Sequence, residues 1–300
     1  MPFVLKAIFI KNEVEMLPRF IELETSRYCN RQCEWCPNSN SNARKTQEMM
    51  DWSIFTKLIN ELNSLRYSGT LALHSYNEPL ANPRLFRELD YINQNLPTCS
   101  PRIFSNGDYV TPVVLDKLLE FGVTWLNVSL YPHVEEQWNK NTSIAKIHSW
   151  LDNKKVTSYG DWKIVDVQQG VAAMTSKGRL TLEVTVPNIQ IYNYRGGSVA
   201  SISGTDRHDP CYMTHHSAAI DYRGLLKMCC NIYPDYAAHA PYIVGDLREH
   251  SFLELWLSNT MQNLRAAHLK ADWQNSSVCS RCTTFLSKAK IESLELEQGR

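Results

Sequence analysis

Three cysteines fall close together in the segment YCNRQCEWCPNSN, residues 28–40, at Cys29, Cys33 and Cys36. Thiolates at such spacing are typical metal ligands, but a closed structural site made of thiolates needs four of them. A 4Fe-4S cluster held by three thiolates keeps one iron without a protein ligand, and an open position is what a catalytic metal centre requires. The segment therefore predicts a catalytic iron–sulfur site, with a zinc site in the same loop as the alternative.

The composition favours metal binding over disulfides. The chain has 300 residues and nine cysteines, and its beginning shows no signal-peptide pattern, so we expect a cytoplasmic protein with reduced thiols. Lysine plus arginine equals aspartate plus glutamate at 31 each. This balance argues against nucleic acid as a partner, and since no run approaches about 18 apolar residues, we expect no membrane segment.

Short apolar runs alternate with helical patterns up to about residue 195. Six segments predict strands, at 19–25, 70–76, 101–107, 124–132, 162–168 and 180–186, and four predict helices, at 52–65, 84–96, 112–122 and 142–153. Repeated βα units produce a parallel sheet or barrel, with the chemistry at the carboxyl ends of its strands. We therefore predict an α/β fold with a partial (β/α)6 TIM-like barrel, whose first strand ends at the cysteine loop.

The remaining chain divides by composition. We predict an N-terminal arm at 1–18, the barrel at 19–197, a linker rich in Gly, Ser and Asp at 198–210, and a small α+β domain at 211–286. A charged tail follows at 287–300. The small domain includes a hairpin at 218–230 and a helix at 251–259, which begins with the capping pair Ser251 and Glu254.

The cysteine segment resembles the signature of the radical S-adenosylmethionine (SAM) superfamily, CxxxCxxC. Cys29, Cys33 and Cys36 match its cluster ligands, and Trp35 occupies the position that is usually aromatic. The resemblance implies a 4Fe-4S cluster whose open iron binds SAM. It also implies that an electron from the cluster cleaves SAM to a deoxyadenosyl radical, which abstracts a hydrogen atom from the substrate.

Further motifs of that superfamily follow at the ends of the next predicted strands. The segment SYNEPL at 75–80 resembles the GGEP motif that binds the SAM amino group, with two larger residues in place of its glycines. The segment FSNG at 104–107 and the end of the fourth strand resemble the polar positions that contact the rest of SAM. The SAM-binding residues implied are Tyr76, Asn77, Glu78, Ser105, Asn106 and Ser129.

The later cysteines resemble a reduced SPASM module called a twitch domain, which binds an auxiliary 4Fe-4S cluster. The segment GDLREHSFLELW at 245–256 resembles the module's characteristic segment. The implied ligands are Cys211, Cys229, Cys279 and Cys282. Four thiolates close the cluster, which points to electron transfer or structure. A structural zinc site at these cysteines is the alternative.

The arrangement is similar to the group that includes the deoxy-scyllo-inosamine dehydrogenase and the neomycin epimerase. The resemblance implies hydrogen-atom abstraction from a small hydroxylated substrate, an amino sugar or cyclitol, oxidised with the auxiliary cluster as electron acceptor. Arg195 is the expected substrate residue. An epimerase with Cys230 as hydrogen donor and a peptide-modifying SPASM enzyme are the alternatives. A flavodoxin or ferredoxin is the expected electron donor.

Overall fold

A computed structural model describes residues 17–40, 45–133, 136–167, 170–189, 195–202, 204–273, 278–283 and 286–287. Most of the arm predicted at 1–18 and of the tail predicted at 287–300 lies outside these residues. Within them, no helix is long and apolar enough to cross a membrane.

Ten strands and seven α-helices occur in the described part of the chain. The strands are β1 (Phe20–Leu23), β2 (Thr70–Ala72), β3 (Ser100–Ser105), β4 (Trp125–Ser129), β5 (Lys163–Val167), β6 (Gly170–Lys177), β7 (Leu180–Pro187), β8 (Ser217–Ile220), β9 (Leu225–Lys227) and β10 (Ile243–Asp246). The helices are α1 (Trp52–Ser64), α2 (Leu85–Asn95), α3 (Pro112–Glu120), α4 (Lys140–Asn153), α5 (Met213–His216), α6 (Phe252–Trp256) and α7 (Asn259–Leu269).

All ten strands form one sheet in the order β10-β9-β8-β1-β2-β3-β4-β7-β6-β5. The six neighbours from β8 to β7 pair in parallel. Antiparallel strands extend both sides of this parallel part, with β9 and β10 at one side and β6 and β5 at the other. The parallel part brings several strand carboxyl ends to one edge, as the predicted α/β class requires.

Apolar residues fill the space between the sheet and its helices. Leu71, Ile103 and Leu126 from three neighbouring strands are completely buried. The apolar face of α1 packs against them through residues that include Phe55 and Leu58. Parallel strands need such cover because βα crossovers place helices over the sheet.

The structure confirms the α/β class but changes the count of βα units. The strand predicted at 162–168 forms as β5, but it pairs antiparallel with β6, a strand that the sequence analysis missed. A turn at Gly178, with φ of +58°, joins β6 to β7. The strands β5, β6 and β7 follow one another as an antiparallel meander, so of residues 162–187 only β7 belongs to the parallel part of the sheet. The sixth parallel strand is β8.

The small C-terminal domain is continuous with the barrel sheet. The hairpin predicted at 218–230 forms as β8 and β9, with Gly224 in its turn at φ of +90°. The helix predicted at 251–259 forms with both hydrogen bonds of the Ser251 and Glu254 capping box, but it is shorter than predicted, since α6 ends at Trp256 and α7 begins at Asn259. We propose that residues 198–210 divide the chain into two domains. One sheet includes strands of both domains.

Replacing Leu71 with alanine is expected to destabilise the fold by about 2–5 kcal/mol, because Leu71 is fully buried in β2 and its truncation leaves a cavity. Val113→Ala on α3, where the side chain is 64% exposed, is the matched control and should change stability by less than about 0.5 kcal/mol. Urea unfolding monitored by tryptophan fluorescence measures both. Equal midpoints for the two variants would contradict the assigned core.

Candidate active site

A cavity of about 570 Å³ lies at the carboxyl ends of the parallel strands. Its wall combines inward-facing residues of β1, β3, β4 and β7 with the residues that follow β2 and with the cysteine loop. The reactive or charged residues among its lining include Glu22, Cys29, Cys33, Cys36, Arg195 and Cys230. Side chains from the barrel, the cysteine loop and the C-terminal hairpin therefore meet in one space.

The three cysteines predicted as cluster ligands all line this cavity. The Cys36 backbone N–H donates to the Cys33 carbonyl at 3.0 Å, which closes a tight turn between two of them. Burial raises the pKa of Cys29 and Cys36 to about 11 and also raises that of Cys33, and the neighbouring thiols add to the rise. Bound iron supplies the positive charge that holds such thiols as thiolates, so the donor set fits an iron–sulfur cluster.

Charged and amide groups from the end of β3 hold the cysteine loop. Arg31 donates to both carboxylate oxygens of Asp108, at 2.6 and 2.8 Å, and Asn30 donates to the same carboxylate at 2.7 Å. The Asn106 side chain donates to the Asn30 oxygen at 2.8 Å. Asn106, predicted as a SAM residue, thus also positions the loop between Cys29 and Cys33.

Glu78 of the SYNEPL segment is almost completely buried and ties two strand ends together. Its carboxylate accepts from the Ser105 hydroxyl at 2.8 Å, from the Asn106 backbone N–H at 2.7 Å and from the Leu80 backbone N–H at 3.0 Å. Burial raises the pKa of Glu78 despite these bonds. Both carboxylate oxygens of Glu78 already have protein partners. The geometry therefore favours a role for Glu78 and Ser105 in shaping the pocket.

Tyr76 replaces a glycine of the superfamily motif and bridges the two halves of the chain. Its hydroxyl donates to the Cys230 carbonyl at 2.8 Å, and its ring lies 5.5 Å from the Arg195 guanidinium and 5.2 Å from the Lys227 ammonium. The neighbouring Asn77 side chain accepts from the Ser75 backbone N–H at 3.0 Å. Tyr76 thereby connects the end of β2 to the hairpin that carries Cys229.

Asn38 and Tyr233 complete this bridge, and the sequence analysis missed both. The Asn38 amide donates to the Tyr76 carbonyl at 2.9 Å, and the Tyr233 hydroxyl donates to the Asn38 side-chain oxygen at 3.3 Å. The Tyr233 ring meets the Tyr76 ring edge-on at 5.2 Å. The sequence signal that could have indicated Asn38 is its position two residues after Cys36. Its hydrogen-bond partners are more than 35 residues away in sequence.

The remaining predicted SAM residues also face the cavity. Ser129 lines it at the end of β4 and donates to the Asn127 side-chain oxygen at 3.1 Å. Trp35 lines it from the cysteine loop, and its ring lies 5.6 Å from that of Tyr131. The Trp35 indole nitrogen is buried without a hydrogen-bond partner in the structure. A buried unpaired donor beside the thiols is consistent with a pocket shaped for a polar ligand.

Arg195 reaches the cavity from a strained turn at Arg195–Gly197, where Arg195 has φ of +50°. His239 holds this turn from the C-terminal domain, because its Nε2 lies 2.9 Å from the Gly196 carbonyl and its Nδ1 accepts from the Tyr233 backbone N–H at 2.8 Å. A Cβ at Gly196, with φ of +60°, would lie 2.7 Å from that Nε2. The predicted substrate residue is thus positioned by a domain distant in sequence.

A buried charge cluster on the hairpin side of the barrel was also missed. Lys227 of β9 is fully buried and donates to the Ser75 hydroxyl at 3.0 Å. Burial raises the pKa of Glu22 on β1 and of Glu24, the residue after β1, to about 7, although Lys227 opposes the rise. The sequence signal that could have indicated this cluster is the alternation of polar residues in RFIELET, since alternate residues of a strand face the same side of a sheet.

Three of the four cysteines predicted as auxiliary ligands, Cys211, Cys229 and Cys279, lie in or against a second, smaller apolar cluster. Cys211 and Cys279 are buried in it beside Met228, Ile232 and Trp273. Burial raises the pKa of Cys229 well above its usual value, and the thiols of Cys230, Cys279 and Cys282 raise it further.

Soft thiol donors in an apolar shell fit an iron–sulfur cluster. In the described ranges, no group of three or more His, Cys, Asp or Glu side chains is arranged to hold a metal ion. The ligand assignment at both sites is therefore a proposal, supported by the donor type and by the shared location of the thiols.

Comparison with known families finds two matches. Residues 23–146 match the radical SAM superfamily, and residues 211–283 match SPASM, an iron–sulfur cluster-binding domain. Over these two ranges the chain is similar to the radical SAM superfamily and to the SPASM domain. Its radical SAM domain implies a 4Fe-4S cluster and SAM, and its SPASM domain implies an auxiliary iron–sulfur cluster.

Individual relatives are similar to parts of the chain or to its fold. A stretch of 67 residues is 40% identical to the S-adenosyl-L-methionine-dependent 2-deoxy-scyllo-inosamine dehydrogenase of Niallia circulans. That stretch is 22% of this chain and 26% of the relative. The crystal structure of BtrN in complex with AdoMet and 2-DOIA is 21% identical, with a TM-score of 0.64 over 91% of this chain and 96% of BtrN. Native anSMEcpe with bound AdoMet is 10% identical, with a TM-score of 0.51 over 89% of each chain.

Anaerobic reconstitution of the protein is expected to yield about eight irons per chain and a brown colour, because each thiol set is proposed to hold one 4Fe-4S cluster. Cys33→Ala and Cys282→Ala should each retain about four irons, since each removes a ligand of one set only. Cys99→Ala is the matched control and should keep about eight. Iron analysis with absorbance measures this, and a colourless protein with about two zinc ions would establish the zinc alternative.

Proposed function

We propose that the chain is a radical SAM dehydrogenase that oxidises a carbinol of a small hydroxylated substrate, an amino sugar or cyclitol. The observation that carries this proposal is the shared cavity, which the three thiols of the first site line together with Arg195, Glu22 and Cys230. Cys230 is the chain neighbour of Cys229, a proposed ligand of the second site. A substrate in this cavity is therefore close to both redox sites.

The cavity volume supports a small substrate. Sites for small molecules and cofactors usually enclose about 300–1,000 Å³, and this cavity of about 570 Å³ falls in that range. The relative from Niallia circulans is named as a dehydrogenase of 2-deoxy-scyllo-inosamine, an aminocyclitol. This name and the cavity together favour a cyclitol-sized substrate over a long peptide.

The cofactors divide the chemistry between the two sites. When bound, SAM and the cluster at Cys29, Cys33 and Cys36 supply the deoxyadenosyl radical, and the cluster at the second site supplies an electron acceptor. The protein must bind the substrate, direct one carbinol carbon toward the first site and remove the hydroxyl proton. We propose that a small redox protein of the flavodoxin or ferredoxin type reduces the first site, and that the enzyme works in the cytoplasm.

Glu22 is the residue we propose as proton acceptor. Oxidation of a carbinol to a ketone removes a hydrogen atom from carbon, a proton from oxygen and one further electron. Burial raises the pKa of Glu22 to about 7, near the value at which a carboxylate works best as a base at neutral pH. Lys227, Arg195 and the Cys230 thiol, which donates a hydrogen bond to Glu22, oppose this rise.

Arg195 is proposed to orient the substrate. Its guanidinium lies over the Tyr76 ring and lines the same cavity as Glu22. A guanidinium presents several donors in a rigid plane, which suits the oxygens of a polyol. Arg195 and Glu22 would thus offer donors and an acceptor to one substrate.

Epimerisation is the second candidate, and one observation favours it. The Cys230 thiol lines the cavity, where it could return a hydrogen atom to a substrate radical. In that case the product has the same mass as the substrate but one inverted carbon. The two reactions differ in whether an electron leaves the substrate.

The proposal is tested with reduced enzyme, SAM and 2-deoxy-scyllo-inosamine in deuterated water. We expect 5′-deoxyadenosine and a ketone two mass units lighter than the substrate, because dehydrogenation removes two hydrogens. Mass spectrometry and NMR identify the product. Deuterium at an inverted carbon, without loss of hydrogen, would establish epimerisation instead, and an unchanged cyclitol would exclude this substrate.

Replacing Glu22 with glutamine is expected to lower ketone formation by about 100-fold or more, because general-base catalysis contributes at least that factor. Only the ionised carboxylate accepts a proton, so the wild-type rate should rise with pH through about 7 and then level off. Glu22→Gln should lack this rise. The pH profile of kcat/KM measures it.

Glu183→Gln is the matched control for this pH profile. Glu183 also lines the cavity, but its carboxylate accepts from the Trp125 indole and from the Thr185 hydroxyl, each at 3.0 Å. The control variant should keep the rise near pH 7. If Glu22→Gln kept it as well, the proton acceptor would be another group.

A further inference from the structure

Two side-chain nitrogens approach the sulfurs of the second thiol set. His268 Nε2 lies 3.6 Å from Cys279 Sγ, and Asn231 Nδ2 lies 3.6 Å from Cys282 Sγ. Both residues are 4% exposed. They come from different elements, since His268 is in α7 and Asn231 follows the two adjacent cysteines of the hairpin. Two ligands of one proposed cluster therefore each have a buried nitrogen at hydrogen-bond distance from sulfur.

The direction of the histidine bond follows from the chemistry of the thiolate. A cysteine bound to iron has no proton and can only accept, so the N–H of His268 must donate. On the opposite side of the ring, Nδ1 lies 3.5 Å from the hydroxyl of Thr214, which is completely buried. When that hydroxyl donates to Nδ1, the ring proton resides on Nε2. Thr214 thereby fixes the tautomer in which His268 points an N–H at Cys279.

Backbone contacts hold both donors in place. The Cys211 backbone N–H donates to the His268 carbonyl at 3.2 Å. Cys211, a proposed ligand, thus fixes the end of α7 that carries His268, the donor to Cys279. The His268 ring also meets the Trp273 ring edge-on at 5.1 Å. Asn231 lies in the turn in which the Ile232 backbone N–H donates to the Cys229 carbonyl at 3.2 Å. The backbone that carries each donor is therefore tied to a ligand residue.

A buried cation packs against the aromatic neighbour of His268. Arg207 is 6% exposed, and its guanidinium lies 4.3 Å from the centre of the Trp273 ring. Its backbone N–H donates to the carbonyl of Ser280, which lies between the paired cysteines Cys279 and Cys282. The Arg207 backbone is thus tied to the segment that carries Cys279 and Cys282, and its guanidinium covers the Trp273 ring that meets His268.

We propose that His268 and Asn231 set the reduction potential of the auxiliary cluster and make it an electron acceptor. Reduction adds negative charge to the cluster and its thiolates, so N–H donors to those sulfurs stabilise the reduced state more than the oxidised one. The proposal rests on the proposed function, in which the second site takes the electron of the substrate radical. The present proposal names the residues that make this electron transfer favourable.

The test measures the midpoint potential of the auxiliary cluster by EPR-monitored redox titration. The full-length chain is used with Cys29, Cys33 and Cys36 replaced by alanine, so that only one cluster remains and no substrate is required. In this background, we expect His268→Phe to lower the equilibrium constant for reduction about tenfold, equivalent to about 59 mV for one electron. Asn231→Asp should lower it further, because it replaces a donor with a carboxylate of the same shape.

Matched variants separate the hydrogen bond from the histidine ring itself. His268→Gln keeps an N–H donor and should keep a potential closer to wild type than His268→Phe does. His215→Gln changes a neighbouring histidine that also lies 3.5 Å from the Thr214 hydroxyl, and it should leave the potential unchanged. Wild-type potentials in both His268→Phe and Asn231→Asp, with four irons retained, would overturn the proposal.

A measurement on the chain with an intact auxiliary site covers the case in which these variants lose iron. Exchange into deuterated water should shift the Fe–S bands in the resonance Raman spectrum, because exchangeable protons bond to the ligand sulfurs. Unshifted bands would overturn the proposal without any variant. Both readouts are independent of substrate turnover. The expected loss of potential in these variants, combined with deuterium at an inverted carbon of the product, would reject the proposed dehydrogenase and leave this inference standing.

Discussion

The parallel pairing of β8 with β1 is the constraint on which the rest of the site depends. In this register Glu22 lies opposite Ala219, and Ala219 lies opposite Lys227 on the next strand. The hairpin that begins with β8 continues directly into Cys229 and Cys230, and β1 leads into the cysteine loop. This strand pairing thus brings Cys230, the chain neighbour of Cys229, to the cavity that Cys29, Cys33 and Cys36 line, although about 200 residues separate them in sequence.

The same register creates a buried group of charges. Lys227, Glu22 and Glu24 are near one another inside the barrel, where burial alone would expel charge. Lys227 finds partners in Ser75 and in the ring of Tyr76, and Glu24 accepts from the Tyr76 backbone N–H at 3.0 Å. Pairing offsets only part of the desolvation cost, since burial still raises the pKa of both carboxyls to about 7, and Glu22 faces the cavity. A carboxyl that titrates near neutral pH follows from this arrangement.

Local patterns in the sequence were sufficient to predict much of the fold. The alternation of strands and helices predicted the α/β class, and the Ser251 cap, the Gly224 turn and the helix from Pro112 to Gly122 formed as expected. The error at β5 to β7 has a physical reason. A strand has the same period whether its neighbour is parallel or antiparallel, so periodicity alone cannot assign a partner.

The sequence by itself determined the chemistry of the donors, because the number and spacing of the cysteines are properties of the chain. The same is true of the polar residues that follow each strand. Only the tertiary structure decided which of them share a cavity. Glu22 beside Cys230, Tyr76 beneath Arg195, and His268 against Cys279 all join residues more than 10 positions apart. Such contacts depend on strand order and register, which arise from packing of the whole sheet and leave no local signal.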